Sequence, residues 1–282
     1  MTKCLAVSPF TMPTALAAAD DLLGSPTWLG SPDRADQAAW LSSFRRRAEL
    51  AATMPEVHRN ATASAEQHVA WLKSEGWEAQ VTQGTPNDIF LASTLNIIAK
   101  WRAIGQAYRE REVDRVLLKK GAYTSTSAPR EHPVVEVVTQ HASFSFCFQQ
   151  ADTAPVHAAE LAERALAMVC RSAREEVRLD FPMVDLLVRD DAKYMRGLRA
   201  GTNVVTQAVE QLRLELNEVG GRASAAAEIA VTRGVRTVRT VKIDGPFIVA
   251  INRNGAPKDA DKIVFAAYVD RDAWKKPTAG RI

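Results

Sequence analysis

The sequence predicts an α+β fold, and three observations predict it. Windows 35–52 and 63–74 carry apolar residues at helical spacing, as amphipathic helices do. The runs 89–101 and 263–269 are almost continuously apolar or small; the second reads as a strand, the first as a strand buried on both faces or as a buried helix. The stretch from Asn217 to Arg236 opens on a glycine pair, continues as tiny residues and turns β-branched and basic. Its positions alternate. Gly221, Ala223, Ala225, Ala227, Ile229 and Val231 are all small or apolar, whereas Arg222, Ser224, Ala226, Glu228, Ala230 and Thr232 carry every charge up to Val231. Alanine favours a surface helix, but no apolar stripe would hold one down. Period two is the pattern of a strand with one buried face.

The chain has 282 residues, 46% apolar and 24% charged, enough for one large domain or two ordinary ones. No run of 18 apolar residues offers a membrane span. The start Met1-Thr2-Lys3-Cys4 shows no secretory signal, so the expected location is cytoplasmic, with secretion left open. Cys4, Cys147 and Cys170 are too few, and odd in number, for a disulfide framework; they read as buried thiols. A net charge of +3 does not argue for nucleic acid. Arg45-Arg46-Arg47 and Lys119-Lys120 read as solvated faces. No phosphate loop or metal-ligand spacing is present. Asp190-Asp191 reads as a turn rather than an acid/base dyad. His141 reads as structural, because no nucleophile motif accompanies it. Asn60-Ala61-Thr62 is a chance sequon. The expectation is a monomer with no catalytic residues, cofactor, metal, nucleic acid or membrane partner.

Taken in order, Ser8 caps a first helix, Pro9 suits its first turn, and Pro13 is tolerable only near the start. Pro55 and the polar run Asn60 to Ser64 mark a loop between the next two helices. Residues 102–120 are charged and helical in pattern, Gly121 to Pro133 is a loop, and Ala158 to Glu176 is a helix. Asn254-Gly255 supplies a turn into a last strand, Ile263 to Val269.

Several of these stretches resemble the serpins, in that family's order. Ser8-Pro9-Phe10-Thr11-Met12-Pro13-Thr14-Ala15-Leu16 resembles the start of the buried helix, with Thr11 in place of a serine. Only seven residues precede Ser8, so the family's first helix is expected to be missing or replaced. Gln67 to Gly76 is weakly similar to the helix over the main sheet. Ile89 to Trp101 resembles the central strand, with Ser93 where the family has asparagine and Trp101 where the hinge joins the sheet. Val137 to Phe146 is similar to the strand built on Gln140, Phe144 and an aromatic, and Val177 to Leu186 to the strand around a Leu-Pro pair. The interval from Phe146 to Pro182 is short for the family's apolar hairpin, so the second sheet is expected to be abridged. Glu218-Val219-Gly220 followed by Ala223 to Ala227 resembles the hinge, and Ile243 to Arg253 the Pro-Phe strand.

The resemblance implies a serpin-like α+β fold, a large mixed β-sheet with a smaller sheet and helices packed around them. It implies one domain over 1–282 with an exposed hinge and reactive loop at 218–242. The hinge residues would be Glu218, Gly220, Gly221, Ala223, Ser224, Ala225, Ala226 and Ala227, and Trp101 the core residue beside them. The implied partner is a serine protease, or a cysteine protease, that cleaves the loop and is trapped as the hinge inserts into the main sheet. Family spacing counted from Gly220 puts the cut after Gly234; counted back from Pro246 it falls after Val235. The window is therefore Arg233, Gly234, Val235 and Arg236, with Val235 and Arg233 ahead. As a strand, residues 221–234 would span about 45 Å. Gly221 replaces the family's usual threonine and Arg222 its usual acid, which would slow insertion without forbidding it. The alternative is a serpin-fold binding or structural protein that does not inhibit.

Overall fold

The computed structural model describes residues 4–24, 26–79, 89–125, 131–140, 143–169, 174–205, 208–221, 238–256 and 261–277. In chain order the helices are α1 (Thr11–Leu23), α2 (Ala35–Ala52), α3 (Ala65–Ser74) and α4 (Ala158–Ala167). The strands are β1 (Leu5–Val7), β2 (Val57–Thr62), β3 (Phe90–Leu95), β4 (Ala99–Lys100), β5 (Gln106–Glu110), β6 (Val113–Ser125), β7 (Val135–Val138), β8 (Phe144–Gln150) and β9 (Arg174–Pro182). They continue as β10 (Val184–Asp191), β11 (Arg199–Ala200), β12 (Asn203–Val204), β13 (Val209–Leu216), β14 (Gly220–Gly221), β15 (Thr240–Lys242), β16 (Phe247–Arg253) and β17 (Ile263–Val269). The chain divides into two compact units.

The first unit comprises residues 1–8, 97–188 and 212–282. Among the described residues it holds a nine-stranded sheet, β1-β17-β16-β8-β7-β6-β9-β15, with β5 added on β6. The sheet is mixed: β15 runs parallel to β9, the other pairs antiparallel. Strand β17 is buried at every position and β16 at all but Arg253, so both faces of this region are covered. The turn between them uses Gly255 at φ 78°, a left-handed conformation open to glycine. Helix α4 packs Leu161 and Ala165 against Cys147, Ile248, Ala250 and Tyr268. A second sheet of four strands runs β10-β13-β14-β4.

The second unit comprises residues 9–96 and 189–211. Helix α1 is buried along most of its length, as an apolar, alanine-rich sequence allows. Leu16 and Ala19 of α1 pack with Trp28, Phe44 of α2, Met195 and Leu198. The antiparallel pair β2–β3, with α3 in the connection between them, joins Val57–Thr62 to Phe90–Leu95 in full register. Ser64 caps α3 by accepting from the Gln67 amide.

Several expectations are corrected. Ser8 does not cap α1; its hydroxyl donates to the Val264 carbonyl, and the helix starts at Thr11 with Pro13 in its first turn. Residues 102–120 are not helical. They form the β5–β6 hairpin, which turns at Arg111 and Glu112 with φ of 46° and 70°. Strand β6 also runs into the expected loop as far as Ser125. The polar run at Asn60 is strand, because Asn60 pairs with Ala92. Residues 89–101 are two strands, β3 and β4, in different sheets. The stretch 137–146 divides at a turn into β7 and β8, and 177–186 divides at Met183 into β9 and β10. The helix begun at Ala158 ends at Ala167, because Arg174–Glu176 are claimed by pairing with β6. Asp191 ends β10 rather than forming a turn. Gly220 and Gly221 of the expected hinge lie in the four-stranded sheet, where β4 and β14 have two residues each, and not in the nine-stranded one.

Candidate functional site

The chain leaves the described residues after Gly221 and returns at Val238. The ends of that interval are two roots, and each is built differently.

At the first root, Leu216 ends β13 and the chain reverses over 217–220. Gly221 then pairs antiparallel with Leu216 on one side and with Ala99 on the other, while Gly220 pairs with Lys100. Gly220 and Gly221, the first residues of the expected hinge in this strand, thus form a buried strand between two others. Both positions demand glycine. A Cβ on Gly220 would lie 2.3 Å from the Ala99 carbonyl oxygen, and one on Gly221 2.7 Å from Phe146 Cε1. Gly221 is therefore not a tolerated departure from threonine: in this packing a side chain has no room.

Trp101 sits beside the glycine pair with 1% of its surface exposed. Its ring meets Phe146, Phe148 and Phe181 edge-on, with centroids 5.1, 6.3 and 6.2 Å away. Its indole N–H donates to the Asn217 carbonyl at 2.8 Å, and its amide to the Val219 carbonyl at 3.1 Å. The Glu218 carbonyl accepts from the Gly105 amide at 2.7 Å, while its carboxylate Oε2 is buried without a hydrogen-bond partner among the described residues.

The second root is β15, an edge strand held by charge. Arg115 of β6, 3% exposed, is its centre. Its Nε donates to Asp180 Oδ1 at 3.0 Å and its Nη2 to the Ile243 carbonyl at 2.9 Å. Its Nη1 lies 3.5 Å from Asp244. The Tyr108 hydroxyl donates to the other Asp180 oxygen at 2.6 Å. Lys242 of β15 pairs with Glu110 at 2.9 Å and with Asp244 at 3.5 Å. Burial opposes the charge on Arg115, yet the Asp180 carboxylate holds its pKa above the ordinary value. Burial, then the bond to Asp180, pushes the Tyr108 phenol up.

The structure thus brings Trp101, Glu218, Gly220 and Gly221 together. Ala223, Ser224, Ala225, Ala226 and Ala227, and the window Arg233, Gly234, Val235 and Arg236, lie outside the described residues, as do His141 and Cys170. Sequence reasoning missed the Arg115 group entirely, since its partners lie 65 and 128 residues away and no local pattern marks them. Among the described residues no group of three His, Cys, Asp or Glu could hold a metal ion, and no helix is long and apolar enough to cross a membrane.

No protein-family profile matches the sequence, and no curated protein matches it. Solved structures do. Serpin48, a highly specific serpin of the insect Tenebrio molitor, superposes with a TM-score of 0.62 at 15% identity, over 95% of this chain and 92% of that one. Thyroxine-binding globulin in complex with thyroxine superposes with a TM-score of 0.58 at 13% identity, over the same shares of the two chains. With a large mixed sheet, smaller sheets and flanking helices in this arrangement, the chain has the serpin fold.

Proposed function

We propose that the protein is a non-catalytic inhibitor of a serine protease, or of a cysteine protease that attacks in the same way, acting as one domain over 1–282 through the loop at 218–242. The protease nucleophile attacks a loop carbonyl within Arg233–Arg236, the peptide bond breaks, and its amine side departs, leaving an acyl-enzyme. The hinge side then extends the strand begun at Gly220–Gly221, carrying the protease with it, driven by stability gained on insertion. One observation carries the reading: the hinge already starts as a strand between β13 and β4, so continued insertion lengthens a pairing that exists. The alternating sequence agrees, since its inward set through Val231 is uncharged and can be buried without an unpaired ion.

The test is incubation with a panel of trypsin-like and elastase-like proteases, read for a complex that survives denaturant. Ala225→Arg puts a charge on the inward set, where burial costs several kcal/mol. The variant is expected to be cut as a substrate and released. A variant that still forms a stable complex rules out insertion as the mechanism.

A second reading, a binding protein that does not inhibit, is favoured by the same fold being found in thyroxine-binding globulin complexed with thyroxine. Melting before and after loop nicking separates the two. An inhibitor gains a large increase in stability once cut, and a relaxed binding protein does not.

A further inference from the structure

The reversal between β13 and β14 is three residues long, Asn217 to Val219, and its backbone polar groups are bonded one after another. The Asn217 side chain is at its centre. Asn217 Oδ1 accepts from the Val219 amide at 2.8 Å and from the Gly220 amide at 3.1 Å. The Asn217 amide donates to the Gly220 carbonyl at 3.0 Å. The carbonyls of Asn217, Glu218 and Val219 accept from the Trp101 indole, the Gly105 amide and the Trp101 amide in turn. Gly105 is admitted so close only because it lacks a side chain: a Cβ there would lie 2.4 Å from Val116 Cγ1.

We infer that Asn217 is the positioning residue of the hinge, the group that turns the chain back into the four-stranded sheet. The inference rests on the inhibitor reading for its functional consequence, but its geometry does not. An asparagine oxygen two and three residues upstream of two amides stands in for the backbone carbonyl of a tight turn. Without it the Val219 and Gly220 amides lose their acceptor inside a half-buried site, where solvation does not fully replace it. The turn then opens toward wider loops, and Gly221 no longer sits in register with Leu216 and Ala99. Trp101 and Gly105 hold the turn from outside through carbonyls, and neither reaches the two amides that Asn217 satisfies. Asn217 touches no reacting atom, so its effect is on where the cleaved segment goes, not on how fast the protease cuts.

The test compares Asn217→Ala with Asn217→Asp, which keeps an accepting oxygen at the same place. Two quantities are read: hydrogen exchange of the Val219 and Gly220 amides in the intact protein, and the partition between trapped complex and released cut chain with a reactive protease. Asn217→Ala is expected to exchange at those amides at least tenfold faster and to shift the partition several-fold toward released chain, with the rate of first cleavage unchanged. Asn217→Asp is expected to stay within about twofold of the parent in both. Unchanged exchange in Asn217→Ala overturns the inference, whatever the protein inhibits. Fast exchange with an unchanged partition also overturns it, while leaving the inhibitor reading intact. If the parent protein traps no protease in the panel, the inhibitor reading fails instead, and exchange with rescue by aspartate decides the role of Asn217 alone.

Discussion

The two roots of the loop are fastened by opposite physics. Among the described residues the first is held by backbone hydrogen bonds, two glycines without room for a Cβ, and a ring of aromatics around Trp101. The second is a three-residue edge strand fastened by Arg115 and Lys242 to three carboxylates and a carbonyl. Apolar packing and backbone pairing respond weakly to salt and pH, whereas partly exposed ion pairs respond to both. The backbone pairing and aromatic packing of the first root are thus less sensitive to solution conditions than the exposed ion pairs of the second.

The largest expected effect sharpens the first root. Trp101→Ala removes a fully buried indole and strands the Asn217 carbonyl, and should cost about 3–5 kcal/mol in denaturant unfolding, with little dependence on salt. A loss below about 1 kcal/mol would place the ring outside the core and erase the contrast. At the second root, Arg115→Leu leaves Asp180 buried with Tyr108 as its remaining side-chain partner among the described residues. Removing one partner of a buried pair costs about 3–5 kcal/mol, and the surviving bond from Tyr108 sets the expectation near the lower end, about 3 kcal/mol. A neutral or stabilising result would mean that the ion pair is no better than packed hydrocarbon there.

The third effect is alkaline. The Tyr108 phenol titrates above its ordinary value of about 10 in the folded protein, so the folded state binds the extra proton. Its contribution is fully present below about pH 10 and is lost as pH rises through the raised folded value. Parent protein should lose stability across that window, and Tyr108→Phe should lose less; parallel curves would refute the upward shift. The smallest effect is Lys242→Ala. Its pairs with Glu110 and Asp244 are well exposed, so the cost should stay below about 1 kcal/mol and vanish at high salt.

How much of this was legible follows from what each residue depends on. Helix α2 runs from Ala35 to Ala52 as the sequence reads, because its signal is local periodicity. Strand β17 likewise matches the run Ile263 to Val269, and the Asn254-Gly255 turn marks its hairpin. The β5–β6 hairpin was illegible because it turns on Arg111 and Glu112, which carry no turn signature, and its alternation is masked by charges on both faces. Asn60 becomes strand only through a partner at Ala92. At the site, the period-two run after Gly221 lies outside the described residues, while the Asn-x-x-Gly spacing of Asn217 to Gly220 was a signal that could have marked the turn. Arg115 offered none, since its environment is assembled from β5, β6, β9 and β15.

The pairing of β1 with β17 sets a timetable for assembly. Leu5, Ala6 and Val7 face Tyr268, Ala267 and Ala266, residues far apart in sequence. On the ribosome, the residues of β1 emerge first and must wait, unpaired, until β17 follows them out. Strand β8 waits a shorter stretch of synthesis for β16, with one apolar edge open meanwhile. Contacts this distant make folding slow and leave unpaired strands exposed meanwhile. Crowded synthesis, rather than the finished fold, is then the stage at which this protein is most prone to associate wrongly.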